Sequence, residues 1–277
     1  MSVAPTSDLH AGEALGIEVQ PDDEYFDVMA RVAETHWWYR ARRDWVRQVL
    51  RGRLPTGERA IDVGCGTGEA MAVLDELGAS VTVGTDLSSH VLRHVVRRPN
   101  PPRVLESQAE RLPFPDASAG CVISLEVIEH LDDDLAALRE CHRLLRPGGT
   151  LLVTVPAYQW LWSEHDDRAA HRRRYRAARF ERAVRDAGFE VERVTYYFSF
   201  LVPPAALLRR TPLKRLVNAT DEDVSTMHPL IDKGFAGLAK LERAIGRRWR
   251  IPFGLSILCV AHRPAVPAGD GARGGGR

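Results

Sequence analysis

AIDVGCGTGEAMAVL, Ala60 to Leu74, sets an apolar run, three closely spaced glycines and a helical pattern end to end. Ala60, Ile61 and Val63 suit a buried strand. Gly64, Gly66 and Gly68 allow backbone conformations, and close approach by a ligand, that a Cβ would block. Ala70, Val73, Leu74 and Leu77 then recur at helical spacing until Gly78 stops them. The reading is strand, turn, helix. Amides in the turn and at the helix start carry partial positive charge, so a carboxylate or phosphate would be held there. A dinucleotide fingerprint is G-x-G-x-x-G, whereas here the third glycine comes one residue early and Asp62 precedes the first. That spacing disfavours an NAD-dependent dehydrogenase. A second strand, Val81 to Thr85, ends at Asp86, about where a doubly wound sheet places an acid for ribose hydroxyls.

The stretch resembles motif I of the Rossmann-like, class I S-adenosylmethionine-dependent methyltransferases, of the type 11 kind. In that group the turn wraps the methionine part of the cofactor, and the acid near Asp62 faces its ammonium group. Further matches lie downstream in SQAERLPFPDASAGCVIS and RLLRPGGTLLVTVP, so the resemblance runs from about Ala60 to Val155. It implies S-adenosyl-L-methionine as cofactor, with contacts from Asp62, Gly64, Cys65, Gly66, Gly68, Asp86, Leu87, Gln108, Ala109, Glu110, Leu125 and Glu126. Gln108 stands where the group commonly has an aspartate; its carbonyl can still accept from the adenine amine, without the charge. The implied fold is α/β: a doubly wound, seven-stranded, mostly parallel sheet with N-terminal helices and a helical insertion before the last strand.

Composition agrees with a globular chain of this kind. The 277 residues are 44% hydrophobic and carry a net charge of +1, which gives no global attraction to nucleic acid. Four cysteines, Cys65, Cys121, Cys141 and Cys259, lack C-x-x-C spacing, and no secretory leader opens the chain, so a cytoplasmic protein with reduced thiols is expected. Cys65 sits where a small side chain is needed and reads as packing rather than as a nucleophile.

Residues 1–20 lack periodicity and read as a mobile arm, 21–263 as a single methyltransferase domain, and the Gly-, Ala- and Pro-rich 264–277 as a disordered tail. Helical cap elements are expected at about 21–52 and 196–250. Within the first of these lies HWWYRARR, His36 to Arg43. Trp37, Trp38 and Tyr39 either anchor helices on the sheet or form a lid over cofactor or acceptor, with Arg40, Arg42 or Arg43 pairing an anionic group. Strands are expected at Val104 to Glu106, Gly120 to Leu125, Thr150 to Val155, Phe189 to Thr195 and Leu255 to Ala261, the last antiparallel by the resemblance. The apolar run Tyr196 to Leu208 is too short and too broken by Pro203 and Pro204 to span a bilayer. With the basic residues after it and a helix at about Leu230 to Trp249, it forms either a helical cap or an apolar, cationic surface for a lipid-linked acceptor, with peripheral membrane contact.

Methyl transfer from a sulfonium needs alignment, and for an oxygen nucleophile a base. The candidate bases are His130, His165 and His171. Glu126, Glu129 and His130 lie at i, i+3 and i+4; a similar EVIEH string in quinone-pathway O-methyltransferases accompanies a divalent metal, but local capping and pairing is the reading adopted and no metal is expected. HDDRAAHRRRY, His165 to Tyr175, leaves the fifth strand on the ligand side, so the acceptor is expected there, against Trp162, Arg174, Tyr175 and the Trp37, Trp38, Arg40 group. A Pro-Pro-Tyr type clamp for a flipped base is missing after the fourth strand, which speaks against a nucleic-acid acceptor. The expected function is methylation, at oxygen, of a small molecule such as a secondary metabolite or of a lipid-linked acceptor. The alternative is a non-catalytic S-adenosylmethionine-binding regulatory or scaffold subunit.

Overall fold

The computed structural model describes residues 23–54, 56–97, 101–210 and 228–265. The expected N-terminal arm and nearly all of the expected tail lie outside these residues. The chain order is α1 (Asp23–Val32), α2 (Trp37–Leu50), β1 (Arg59–Val63), α3 (Met71–Glu76), β2 (Val81–Asp86), α4 (Ser89–Val96), β3 (Arg103–Glu106) and β4 (Ala119–Leu125). Then come α5 (Asp134–Leu144), β5 (Leu145–Pro156), α6 (Glu164–Arg168), α7 (Ala177–Asp186), β6 (Glu190–Tyr197), α8 (Val202–Arg210), α9 (Pro229–Gly246) and β7 (Ser256–His262).

The strands form one seven-stranded sheet in the order β3-β2-β1-β4-β5-β7-β6, with β7 antiparallel to both its neighbours. This is the expected α/β architecture, and α8 and α9 form the expected insertion before the last strand. The central strands β1, β4 and β7 are buried on both faces, as the inside of a mostly parallel sheet requires, while the edge strand β3 is partly exposed. Val122, Leu151, Val153 and Val155 belong to one core with Phe180 and Val184 of α7. Cys121, Ile123 and Leu152 point to the other, with Trp45, Val46 and Leu50 of α2 and Ala239 of α9. Each such aliphatic side chain contributes about 1.5–3 kcal/mol by leaving water. All four cysteines are buried free thiols, and burial pushes Cys121, Cys141 and Cys259 up to about 12.

Several element ends differ from expectation for local reasons. β5 starts at Leu145 rather than Thr150, because Ala119 already pairs with Leu145 before a register shift. α5 is capped by the Asp133 carboxylate, which accepts from the Ala136 amide, so only Asp134 of the three aspartates is helical and Arg146 falls in β5. The run Tyr196 to Leu208 divides into the end of β6, a 3-10 turn (Ser199–Leu201) and most of α8.

The chain leaves the carboxyl end of the sheet through left-handed backbone four times. Gly64 follows β1 with φ 71°, Glu126 follows β4 with φ 58°, Tyr158 lies two residues past β5 with φ 59°, and Phe198 follows β6 with φ 58°. Three of these are not glycine and cost strain, which concentrates along the edge where a doubly wound sheet holds its ligand.

Candidate active site

A cavity of about 580 Å³ opens at this edge. Its floor is the β1–α3 turn. At Gly64 a Cβ would come within 2.3 Å of Val127 Cγ2, so the turn packs here only as glycine. At Gly66, φ 51°, a Cβ would meet nothing within 4 Å; it would project into open space at the cavity lining. Asp86 closes the turn: Oδ2 accepts from the Gly66 amide at 2.8 Å and Oδ1 from the Ser88 amide at 2.9 Å. Burial raises the Asp86 pKa while these amides pull it back down.

Asp62 is fully buried beside the turn. Burial raises its pKa to about 7, with the Arg42 charge opposing and the Asp86 charge adding. A buried carboxyl poised near neutrality gains most from a cation brought by a ligand. The residues therefore fit S-adenosylmethionine: an acid for its ammonium, a bare backbone turn, and an acid at the end of β2. Of the twelve positions implied for the cofactor, all but Gly68 line the cavity. Gly68 instead packs against Val95 and Met71 behind the turn.

The opposite wall comes from α1 and α2 and from the loops after β4 and β5. Val28, Val32, His36, Trp37, Trp38, Tyr39 and Arg42 line it. Trp37 stacks on Phe235 at 5.1 Å between ring centroids, and Trp38 lies on Phe198 at 4.0 Å. The tryptophans are thus both helix anchors and cavity wall. Arg42 faces Glu69 and lies over the Tyr39 ring at 5.1 Å. Arg40 turns away and pairs with Asp232 of α9. Arg43 donates to the Ala33 carbonyl.

The histidines converge from two loops. The segment Ile128–His130 is one 3-10 turn rather than the start of an α-helix, and Glu126 stands outside it, accepting from the Tyr197 hydroxyl at 3.1 Å. The HDDRAAHRRRY segment clamps onto this turn: the Arg172 amide donates to the Glu129 carbonyl, and Arg172 Nε to the His130 carbonyl. His130, His165 and His171 accordingly all line the cavity. His130 and His171 stand edge to face at 4.8 Å, and His165 and His171 at 6.1 Å.

Asp166 organises this cluster. It is fully buried, and accepts from His171 Nδ1 at 2.8 Å, from Arg174 Nε at 2.6 Å and a terminal Arg174 nitrogen at 2.9 Å, and from the Ser163 amide at 2.8 Å. Burial works to raise its pKa, but the His171 and Arg174 hydrogen bonds overcome this and hold it well below the usual carboxylate range. An ionised Asp166 has no proton to give, so Nδ1 of His171 carries the hydrogen and Nε2 keeps the lone pair in the neutral ring. Nε2 lies 3.8 Å from Glu129 Oε1. Neither Glu129 oxygen has a hydrogen-bond partner, and burial, then the Glu126 charge, raises its pKa far above the carboxylate range. His130 is pushed the other way, to about 3, by burial and then by His171. His130 is therefore poorly suited to take a proton near neutral pH.

Of the six expected acceptor contacts, Arg40 and three others do not reach the cavity. Arg174 is spent on Asp166 and on the Ala157 carbonyl. Tyr175 is 1% exposed, bridges to Ala157 and donates its hydroxyl to Asp134. Trp162 donates Nε1 to Asp167. Glu69, Thr67, Ser88 and Ser107 line the cavity without having been singled out in the sequence; Glu69 could have been, since it directly follows the third glycine. Among the described residues, two groups bring metal-ligating atoms within 4.8 Å of one another: Glu129 with His130 and His171, and Asp27 with His90 and His94.

The sheet order and the glycine turn define a class I nucleotide-binding α/β fold with a cofactor cradle at its carboxyl edge. Residues 61–153 match the family described as Methyltransferase domain. A probable S-adenosylmethionine-dependent methyltransferase of Mycolicibacterium smegmatis is 34% identical over 163 residues, 58% of this chain and 62% of the relative. One from Mycobacterium tuberculosis is 34% identical over 121 residues, 44% of this chain and 43% of the relative. These matches thus span less than two thirds of either relative. Among solved structures, a chain from the complex between the Haloferax volcanii Trm112 methyltransferase activator and the putative methyltransferase superposes with TM-score 0.59. It is 21% identical, and the match covers 90% of this chain and 99% of that one, a likeness of fold.

Proposed function

We propose that this chain methylates a hydroxyl of a small-molecule or lipid-linked acceptor, with His171 as general base. The reading rests on one observation: His171, held through Nδ1 by the buried Asp166, lines the same cavity as the glycine turn and Asp86. Bound S-adenosylmethionine supplies an electrophilic methyl group on a sulfonium. Asp62, the turn amides and Asp86 hold that group, and Trp37 and Trp38 cover the cavity and exclude water.

With the cofactor bound, an acceptor hydroxyl placed between the turn and His171 would give its proton to Nε2 as its oxygen bonds the methyl carbon and the carbon–sulfur bond breaks, the electron pair staying on a neutral thioether. Ionised Asp166 stabilises the imidazolium that results, and Arg174 keeps Asp166 ionised and in place. Arg174 is thus a positioning residue. A base of this kind contributes about 10²- to 10⁴-fold to the rate. A nicotinamide cofactor has no counterpart in the glycine spacing.

The test is incubation with methyl-labelled S-adenosylmethionine and a cell extract divided into lipid, aqueous and nucleic-acid fractions. Label in the lipid or aqueous fraction, lost in His171→Gln, is the expected result. Label in the nucleic-acid fraction, or transfer that survives His171→Gln unchanged, overturns the assignment.

A further inference from the structure

We propose that α9 and the residues just after it form a docking surface for an anionic lipid bilayer. Leu230, Ile231, Leu238, Leu241, Ile245 and Trp249 are between 44% and 71% exposed. At 3.6 residues per turn they fall within about 100° of the helix circumference, so they make one continuous stripe. The stripe is not a core face left bare, because α9 has a separate core face. There Phe235 stacks on Trp37, Ala239 is buried, the Glu242 carboxylate accepts from the Phe198 and Ser199 amides, and Gly246 lies against Trp45. Five large apolar side chains on the outer side of one helix, with Trp249 just past its end, mark an interaction surface.

Charge selects the occupant. Lys233, Lys240 and Arg247, exposed and seven residues apart, form a row along one flank of the stripe, and exposed Arg248 and Arg250 close its end. The only acids of α9 are committed elsewhere: Asp232 to Arg40 and the Trp37 amide, Glu242 to the β6 end. A second copy docked stripe to stripe would oppose two cationic rows with no acid on either helix to pair them. An anionic bilayer satisfies both features at once, with the apolar stripe at the acyl boundary and the cations among headgroup phosphates. Trp249 beside Arg248 and Arg250 has the composition of an interfacial anchor. No helix among the described residues is long and apolar enough to cross a membrane, so contact at α9 would lie in the plane of the surface. Through Asp232 and Phe235 this helix also holds Trp37, a wall of the cavity.

The proposal extends the lipid-linked reading of the acceptor, and its test needs no turnover. The protein is pelleted with vesicles of phosphatidylcholine alone and of phosphatidylcholine with one-third phosphatidylglycerol. Binding to the anionic vesicles is expected, weakened by salt and roughly tenfold or more by Lys233→Glu, Lys240→Glu and Arg247→Glu together. The pair Leu241→Glu and Ile245→Glu should abolish it while leaving the thermal midpoint and S-adenosylmethionine binding unchanged. A chain that stays in the supernatant with anionic vesicles overturns the proposal, as does a solution dimer that this pair disperses. A chain that pellets but transfers no methyl group overturns the proposed function and leaves this surface standing.

Discussion

His171 Nδ1 lies 2.8 Å from the fully buried Asp166 Oδ1, which turns the other ring nitrogen toward Glu129 and the cavity that holds the glycine turn. One hydrogen bond thereby fixes the ring within the loop after β5, at the cavity that also holds the β1–α3 turn. Catalysis should depend on it in a way that cofactor binding does not.

His171→Gln should lower kcat by about 10²- to 10⁴-fold with the S-adenosylmethionine Kd unchanged. Asp166→Asn should also lower kcat, since a neutral amide no longer fixes the ring tautomer or supports the imidazolium. Single-turnover kinetics alongside calorimetric Kd values check the split. A parallel loss of both would assign the pair a purely structural role.

Asp62 predicts a pH dependence. Its pKa rises from an ordinary 3.8 to about 7 on folding, so protonation favours the folded chain. The stabilising contribution is full below the unfolded value and is lost as pH rises through about 7. Cofactor binding runs the other way, since an ammonium pairs with the ionised form. The Kd should therefore fall as pH rises across about 7, with proton release, and Asp62→Asn should flatten the profile. Calorimetry in buffers of different ionisation enthalpy reads the proton count.

Gly64→Ala sets a Cβ against Val127 at φ 71°. The strained backbone alone costs about 1–3 kcal/mol, and relief would displace the turn from the cavity floor. Urea unfolding should show the loss, and S-adenosylmethionine should restore less of the thermal midpoint than in the parent chain.

Glu242→Ala leaves the amides of Phe198 and Ser199 without their acceptor at the left-handed end of β6. Each buried unpaired donor costs about 1–3 kcal/mol. Because Phe198 carries Trp38, loss of stability should be joined by weaker cofactor binding, measured by denaturant unfolding and titration.

Much of this was legible in the sequence where chemistry and periodicity coincide. Ala60 to Leu74 announced β1, the turn and α3, and eleven of the twelve positions read from motifs at strand ends line one cavity. His165 to Tyr175 was less legible, because a loop has no period to say which side chains face inward. Its charges find partners within and beyond the segment: His171 and Arg174 meet Asp166, while Arg172 meets Asp132 and Arg173 meets Asp134. Asp166 was unremarkable in sequence because its role depends on total burial. Arg40 was misplaced for a similar reason, since its partner Asp232 lies 192 residues away.

Titration of the folded chain with S-adenosylmethionine tests the central claim most directly. Saturable binding at one site, abolished by Gly66→Val in a variant that remains folded, is the predicted result, because that side chain would project from the turn into the cavity. Absence of binding to the folded chain, or undiminished binding to folded Gly66→Val, would contradict the assignment of this cavity as the cofactor site.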